Sequence, residues 1–162
     1  MTSAPLTEPS LTLVRKIKAP PRTVFAAFVE PARIMKWWGP DAGPTLSAET
    51  DVRVGGRFRV LFETLDGERH ENRGEYLEIE PPARLVMAWW WAATPERRSR
   101  VTVSIRPISD GSELTIHHEM FFDTATRDNH LSGWNGTLDK LERLLAEHNP
   151  TPPQPTTRVS RP

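Results

Sequence analysis

The spacing of apolar residues changes along the chain, and each change marks an element. Leu11, Leu13 and Ile17 alternate with Thr12, Val14 and Lys16, with Arg15 in the apolar register, so a first strand is predicted there. Pro20-Pro21 ends it, and Pro21 suits the first turn of a helix, where its missing N–H costs nothing. Val24, Phe25, Phe28 and Val29 recur at helical spacing, and a second short helix is predicted over Pro31 to Trp37, stopped by Gly39-Pro40.

Beyond a loop the period returns to two. Phe58, Val60 and Phe62 alternate with Arg57, Arg59 and Glu63, and Asp66-Gly67 offers a type I′ hairpin turn. The next strand runs to Glu80, where Pro81-Pro82 breaks it. Leu85, Met87, Trp89 and Trp91 then share one strand face, with Val86, Ala88 and Trp90 on the other. Val101, Val103 and Ile105 form a further inward row, and Asp110-Gly111 signals another hairpin. After it Leu114, Ile116, His118 and Met120 share a face. Finally Leu131, Trp134, Leu138, Leu141 and Leu145 recur at helical spacing, an apolar stripe on one helix from Thr124 to Glu147. At ~1.5 Å per residue that helix is roughly 36 Å long, enough to span a sheet. One strand, two short helices, a run of antiparallel strands and one long helix make an α+β fold.

Composition narrows the picture. A chain of 162 residues holds one domain with a substantial core. Residues 1–10 are expected to be a flexible N-terminal segment and 11–148 the domain. Residues 149–162 are expected to be a disordered Pro-rich tail, since Val159 is their only aliphatic side chain besides proline. Lys+Arg and Asp+Glu are equal at 21 each, so there is no basic excess and no nucleic-acid partner is expected. Arg97, Arg98 and Arg100, the densest basic patch, read as a solvated turn. The absence of cysteine excludes disulfides, thiolate metal sites and a cysteine nucleophile. The opening MTSAPLTEPS has neither a basic nor an apolar region of a secretory signal. No apolar run reaches the ~18 residues of a membrane helix, so a cytoplasmic location without membrane insertion is expected.

Tryptophan and histidine carry the candidate chemistry. Trp37 and Trp38 either cap a cavity mouth or anchor the short helices. Trp90 faces away from Trp89 and Trp91, either exposed or covered by a second copy of the chain in a homodimer. Trp134 is flanked by Gly133 and Gly136, each costing about 1 kcal/mol in a helix, so a strand or a ligand is expected to approach the helix there. His118 and His130 are the weak catalytic candidates: sharing one cavity, they would supply acid–base chemistry or two imidazole ligands. The bland alternative is a satisfied, partly buried histidine at each position. No third ligand accompanies them, so neither a metal nor another cofactor is expected. Asp51, Glu63, Glu75 and Glu78 show no spacing that signals paired-carboxylate catalysis, and phosphate-loop and nucleophile-elbow motifs are absent.

Several segments, in order, resemble a known domain. They are Arg15 with Ala19-Pro20 through Val24-Phe25, Trp37-Trp38-Gly39-Pro40, Asp51 through Phe58, and Gly74-Glu75-Tyr76. Pro81-Pro82 with Arg84-Leu85, and Gly133-Trp134, complete the series. Together they resemble the family named for the activator of the heat-shock protein 90 ATPase, within the START-like (SRPBCC) superfamily, over residues 11 to 147. The resemblance implies the helix-grip fold, a curved antiparallel sheet around a long C-terminal helix, with an apolar ligand cavity between them. The eukaryotic co-chaperone carries an additional N-terminal domain that contributes to chaperone binding. Only about ten residues precede the first strand here, so the family's stress-response name implies no activity for this chain.

The leading expectation is therefore a binder of an apolar or aromatic small molecule, lipid-like or polyketide-like. The residues expected at such a site are Trp37, Trp38, Phe62, Tyr76, Met87, Trp89, Trp91, Val103, His118, His130, Trp134 and Leu138. His118 or Tyr76 would be its polar handle. The alternatives are an enzyme of the cyclase or hydrolase type using the same cavity, and a chaperone-linked or dimeric interaction module.

Overall fold

A computed structural model describes residues 9–148. The expected tail, and residues 1–8 of the expected flexible segment, lie outside the described residues. Pro9 and Ser10 are held in place: their carbonyls accept hydrogen bonds from the Phe121 N–H (3.3 Å) and the Arg127 guanidinium (3.1 Å).

The strands are β1 (Leu11–Ile17), β2 (Thr45–Thr50), β3 (Arg57–Glu63), β4 (Arg69–Glu80), β5 (Arg84–Trp91), β6 (Ser99–Ile108) and β7 (Gly111–Glu119). They form one antiparallel sheet in the order β1-β7-β6-β5-β4-β3-β2. Between β1 and β2 stand α1 (Pro21–Val29) and α2 (Pro31–Ile34), and α3 (Thr124–His148) ends the described chain. This is the helix-grip arrangement.

The period-two rows explain how sheet and helix meet. Leu85, Met87 and Trp89 of β5, Val101, Val103 and Ile105 of β6, and Leu114 and Ile116 of β7 all enter one core with Trp134, Leu138, Leu141 and Leu145 of α3. Burying each such aliphatic side chain contributes about 1.5–3 kcal/mol. Arg15 fixes the helix against β1, donating to Asn135 (2.8 Å), Asp139 (2.8 Å) and Glu142 (2.5 Å). Three acceptors on one helix face are what place a guanidinium in the apolar register of a strand.

The structure differs from the sequence reading at several points. The second short helix closes at Ile34, after which a turn carries the chain to Trp37. The hairpin at Asp66-Gly67 is not a two-residue type I′ turn, because only Gly67 has positive φ. A longer loop joins β3 to β4, and the Asp66 carboxylate accepts from the Thr64 hydroxyl and the Glu68 N–H. Met120 does not continue the face of His118: β7 ends at Glu119, and Met120 turns out to solvent with φ of 67°. Trp90 does lie opposite Trp89, yet it is neither exposed nor in need of a second copy. Only 4% of it is accessible, with the Arg98 guanidinium 4.0 Å and that of Arg57 5.8 Å from its ring. Arginine stems and planes cover an indole well, which removes Trp90 as an argument for a homodimer.

Candidate functional site

Where α3 passes the Trp89–Trp91 end of β5, sheet and helix part and leave a cavity of about 360 Å³. Its walls are Trp89 and Trp91 from β5, Phe62 from β3, Trp38 from the turn after α2, and Trp134, Gly133, His130 and Thr137 from α3. The rings meet edge-on or tilted: Trp89 lies 5.2 Å from Trp91 and 6.1 Å from Trp134, and Trp38 lies 6.5 Å from Trp134. Phe62 stands 5.9 Å from Trp91. Thr64 and His70 at the β3–β4 hairpin, and the exposed Asn129 and Ser132 on α3, form the mouth with Gly39 and Pro40.

The Gly39–Pro40 rim is fastened to α3. Thr137 donates its hydroxyl to the Trp37 carbonyl (2.7 Å), and the Lys140 ammonium donates to the carbonyls of Asp41 (2.6 Å) and Trp38 (3.4 Å). Burial pushes the Lys140 pKa down, and Asp41 partly offsets this. The bulk beside Gly136 is this loop, where the sequence suggested a strand or a ligand, while Gly133 touches the loop only at ordinary contact distance and also lines the cavity. A Cβ on Gly136 would stand 2.1 Å from the Pro40 carbonyl oxygen, a contact only glycine permits.

Two histidines brace the indoles. An indole N–H can only donate, so the hydrogen bond from Trp134 Nε1 to His118 Nδ1 (3.0 Å) makes that nitrogen an acceptor. The ring proton of His118 then lies on Nε2 and is donated to Ser99 Oγ (2.7 Å), whose hydroxyl donates to the Trp89 carbonyl (3.0 Å). His130 repeats the device: Trp91 Nε1 donates to its Nε2 (2.9 Å), and its Nδ1 donates to the Thr126 carbonyl (2.8 Å). Burial, reinforced by the neighbouring His130 and His117, pushes His118 well below its ordinary 6.5. Burial also lowers His130, against the opposing pull of the Thr126 carbonyl. Both rings are therefore neutral near pH 7, with both nitrogens committed. Neither offers a lone pair to a substrate proton or a metal ion, and among the described residues no group of three or more potential metal ligands gathers.

Set against the residues expected at the site, the structure brings together Trp38, Phe62, Trp89, Trp91, His130 and Trp134. It places Trp37, Tyr76, Met87, Val103, His118 and Leu138 in the closed core. Trp37 spends its N–H on the Ala27 carbonyl (3.0 Å) and anchors the short helices. Tyr76 packs on Phe58, buried and away from the cavity lining, so it is not a handle on a ligand there. His118 sits behind the wall, 4.9 Å from the ring of Trp89.

This arrangement of sheet and helix agrees with the comparisons. The model of the Activator of Hsp90 ATPase homolog 1-like family matches residues 18–146. The chain belongs to that family. A solved protein from Chromobacterium violaceum is 28% identical, with a TM-score of 0.76 over 88% of this chain and 98% of that one. The AHSA1 protein from Silicibacter pomeroyi is 26% identical, with a TM-score of 0.75 over 86% of this chain and 99% of that one. An AHSA1-like protein from Aeromonas hydrophila, 22% identical, shares the fold with a TM-score of 0.72, over 86% and 92% of the two chains. No curated protein matches the sequence. The Hsp90-activator homolog family thus accounts for the START-like fold. Among the described residues, no helix is long and apolar enough to cross a membrane.

Sequence reasoning did not find the rest of the lining of this family member: Gly39, Pro40, Thr64, His70, Asn129, Ser132, Gly133 and Thr137. A signal existed for part of it. Asn129, Ser132 or Gly133, and Gly136 or Thr137 recur at helical spacing beside the apolar stripe, a strip of small and polar residues next to the leucines.

Proposed function

We propose that the chain binds an apolar or aromatic small molecule, lipid-like or polyketide-like, in the cavity between its sheet and its C-terminal helix. One observation carries this reading: a cavity of about 360 Å³ walled by five aromatic residues, Trp38, Phe62, Trp89, Trp91 and Trp134. Ligand pockets run from ~300 to 1,000 Å³, with mostly apolar walls and a few placed polar groups, and this cavity falls at the small end of that range. The braced indoles speak for binding by a preformed wall, since a wall ordered beforehand costs a ligand little to organise. They speak against a cyclase or hydrolase that uses His118 and His130, whose ring nitrogens are spent on the wall. The family's name speaks for a chaperone-linked role; the cavity speaks for a ligand, and our reading follows the cavity.

Native mass spectrometry of freshly purified protein tests the proposal. The expected result is a mass increment that disappears on denaturation and returns when the extracted small molecule is added back. Protein that carries no increment, and whose tryptophan fluorescence gives no saturable response to a broad panel of apolar compounds, would contradict it.

A further inference from the structure

Given the ligand-binding reading above, the polar side chains of the cavity show which end of a ligand faces out and what that end carries. The polar groups that β5 and α3 contribute deep in the wall are bonded already or out of reach. Trp91 and Trp134 spend their indole N–H groups on histidines, and His130 has both ring nitrogens bonded. Thr137 donates to the Trp37 carbonyl. The Trp89 N–H has no partner, but it is buried within the wall with essentially no accessible surface. This depth of the cavity therefore receives an apolar body.

The mouth is the opposite. Asn129 and Ser132 stand three positions apart on α3, hence on one face of the helix, and both are exposed. His70, near the start of β4, lines the mouth from the sheet. Its ring lies 5.4 Å from that of Phe62, and its Nε2 is 3.8 Å from Glu68, beyond hydrogen-bond length. None of these three side chains hydrogen-bonds another described residue, whereas Thr64 beside them has its hydroxyl tied within the hairpin. An amide, a hydroxyl and a neutral imidazole can each donate and accept. No Asp, Glu, Lys or Arg lines the cavity, so a charged head group finds no counter-ion among them. An ether or alkyl end uses half of their capacity or none. A hydroxyl uses both.

We propose that the ligand is an amphipath that enters body first. Its outer end carries hydroxyl groups, as a glycoside does, and these exchange hydrogen bonds with Asn129, Ser132 and His70 at the mouth. Calorimetric titration of the full chain with naphthyl glucoside and naphthyl ethyl ether tests this, since the two share the ring system and the linking oxygen and differ in the sugar. The glucoside is expected to bind about five-fold tighter or more, the effect of at least one net hydrogen bond. In the double variant Asn129→Ala with Ser132→Ala, whose exposed positions leave the core untouched, that preference should fall to about two-fold or less while the ether binds as before. His70→Phe, which keeps a ring against Phe62, should lower the preference by about two-fold. A glucoside that binds no tighter than the ether, or a preference that either variant leaves unchanged, overturns the inference. If the ether binds and the sugar adds nothing, the ligand cavity stands and this inference alone fails; if neither binds, both fall together.

Discussion

Acidification should weaken the fold before any carboxylate titrates, and the wall histidines set how much. The folded chain holds His118 and His130 neutral, both pushed below 6.5 chiefly by burial, whereas the unfolded chain protonates them near that value. Below pH 6.5 the unfolded state therefore binds more protons, and stability falls as pH falls. For one histidine kept neutral throughout, moving from about pH 7.5 to about pH 5.5 costs about 1.4 kcal/mol, and for two nearly twice that. Ordinary carboxylates titrate near ~4, so this window isolates the imidazoles. Urea unfolding followed by tryptophan fluorescence gives the readout: with a slope of about 2 kcal/mol per molar urea, the midpoint should drop by roughly 0.7 M or more. His118→Gln supplies an acceptor for Trp134 and a donor for Ser99 without titrating, so it should lose about half of the pH dependence. Coincident midpoints at the two pH values, or a variant that keeps the full dependence, would refute the reasoning.

Two further outcomes follow from the packing. Gly136→Ala should lower stability by about 1–3 kcal/mol, because the new Cβ meets the Pro40 carbonyl oxygen at 2.1 Å and this outweighs alanine's better helix propensity; a raised melting temperature would show that the loop yields freely. Leu141→Ala, at a position with no exposed surface, should cost roughly 2–5 kcal/mol in chemical denaturation, and a loss under about half a kcal/mol would mean the helix stripe is not a core seam.

The elements were legible wherever a period was clean, and the site was legible only where a period also fixed a direction. Alternation along β5 put Trp89 and Trp91 on the face of α3, and the leucine stripe oriented Trp134 toward them. Alternation does not say how far along a row the helix lies, so Met87 and Val103 at the covered end, and Trp89 and Trp91 at the open end, looked equivalent in the sequence. β2 escaped because TLSAET is an edge strand, partly exposed on both faces, with no apolar alternation to announce it. The roles of His118 and His130 were hidden for another reason. Whether an imidazole is a base or a brace depends on which atoms meet its two nitrogens, and the indoles that meet them come from Trp91, 39 positions from His130, and Trp134, 16 positions from His118. Trp90 was misjudged because its cover, Arg57 and Arg98, is polar in sequence and apolar in use.

The central claim, a ligand among the wall tryptophans, is tested most directly by the six indole N–H signals in a ¹⁵N-correlated NMR spectrum, assigned by single Trp→Phe variants. Titration with the methyl ketone of naphthalene should move the signals of Trp38, Trp89, Trp91 and Trp134, saturably and together. Trp37, bonded to the Ala27 carbonyl in the closed core, and Trp90, beneath Arg98 on the far face of the sheet, should stay in place. Movement confined to Trp90, equal movement of all six, or none at all would contradict the account.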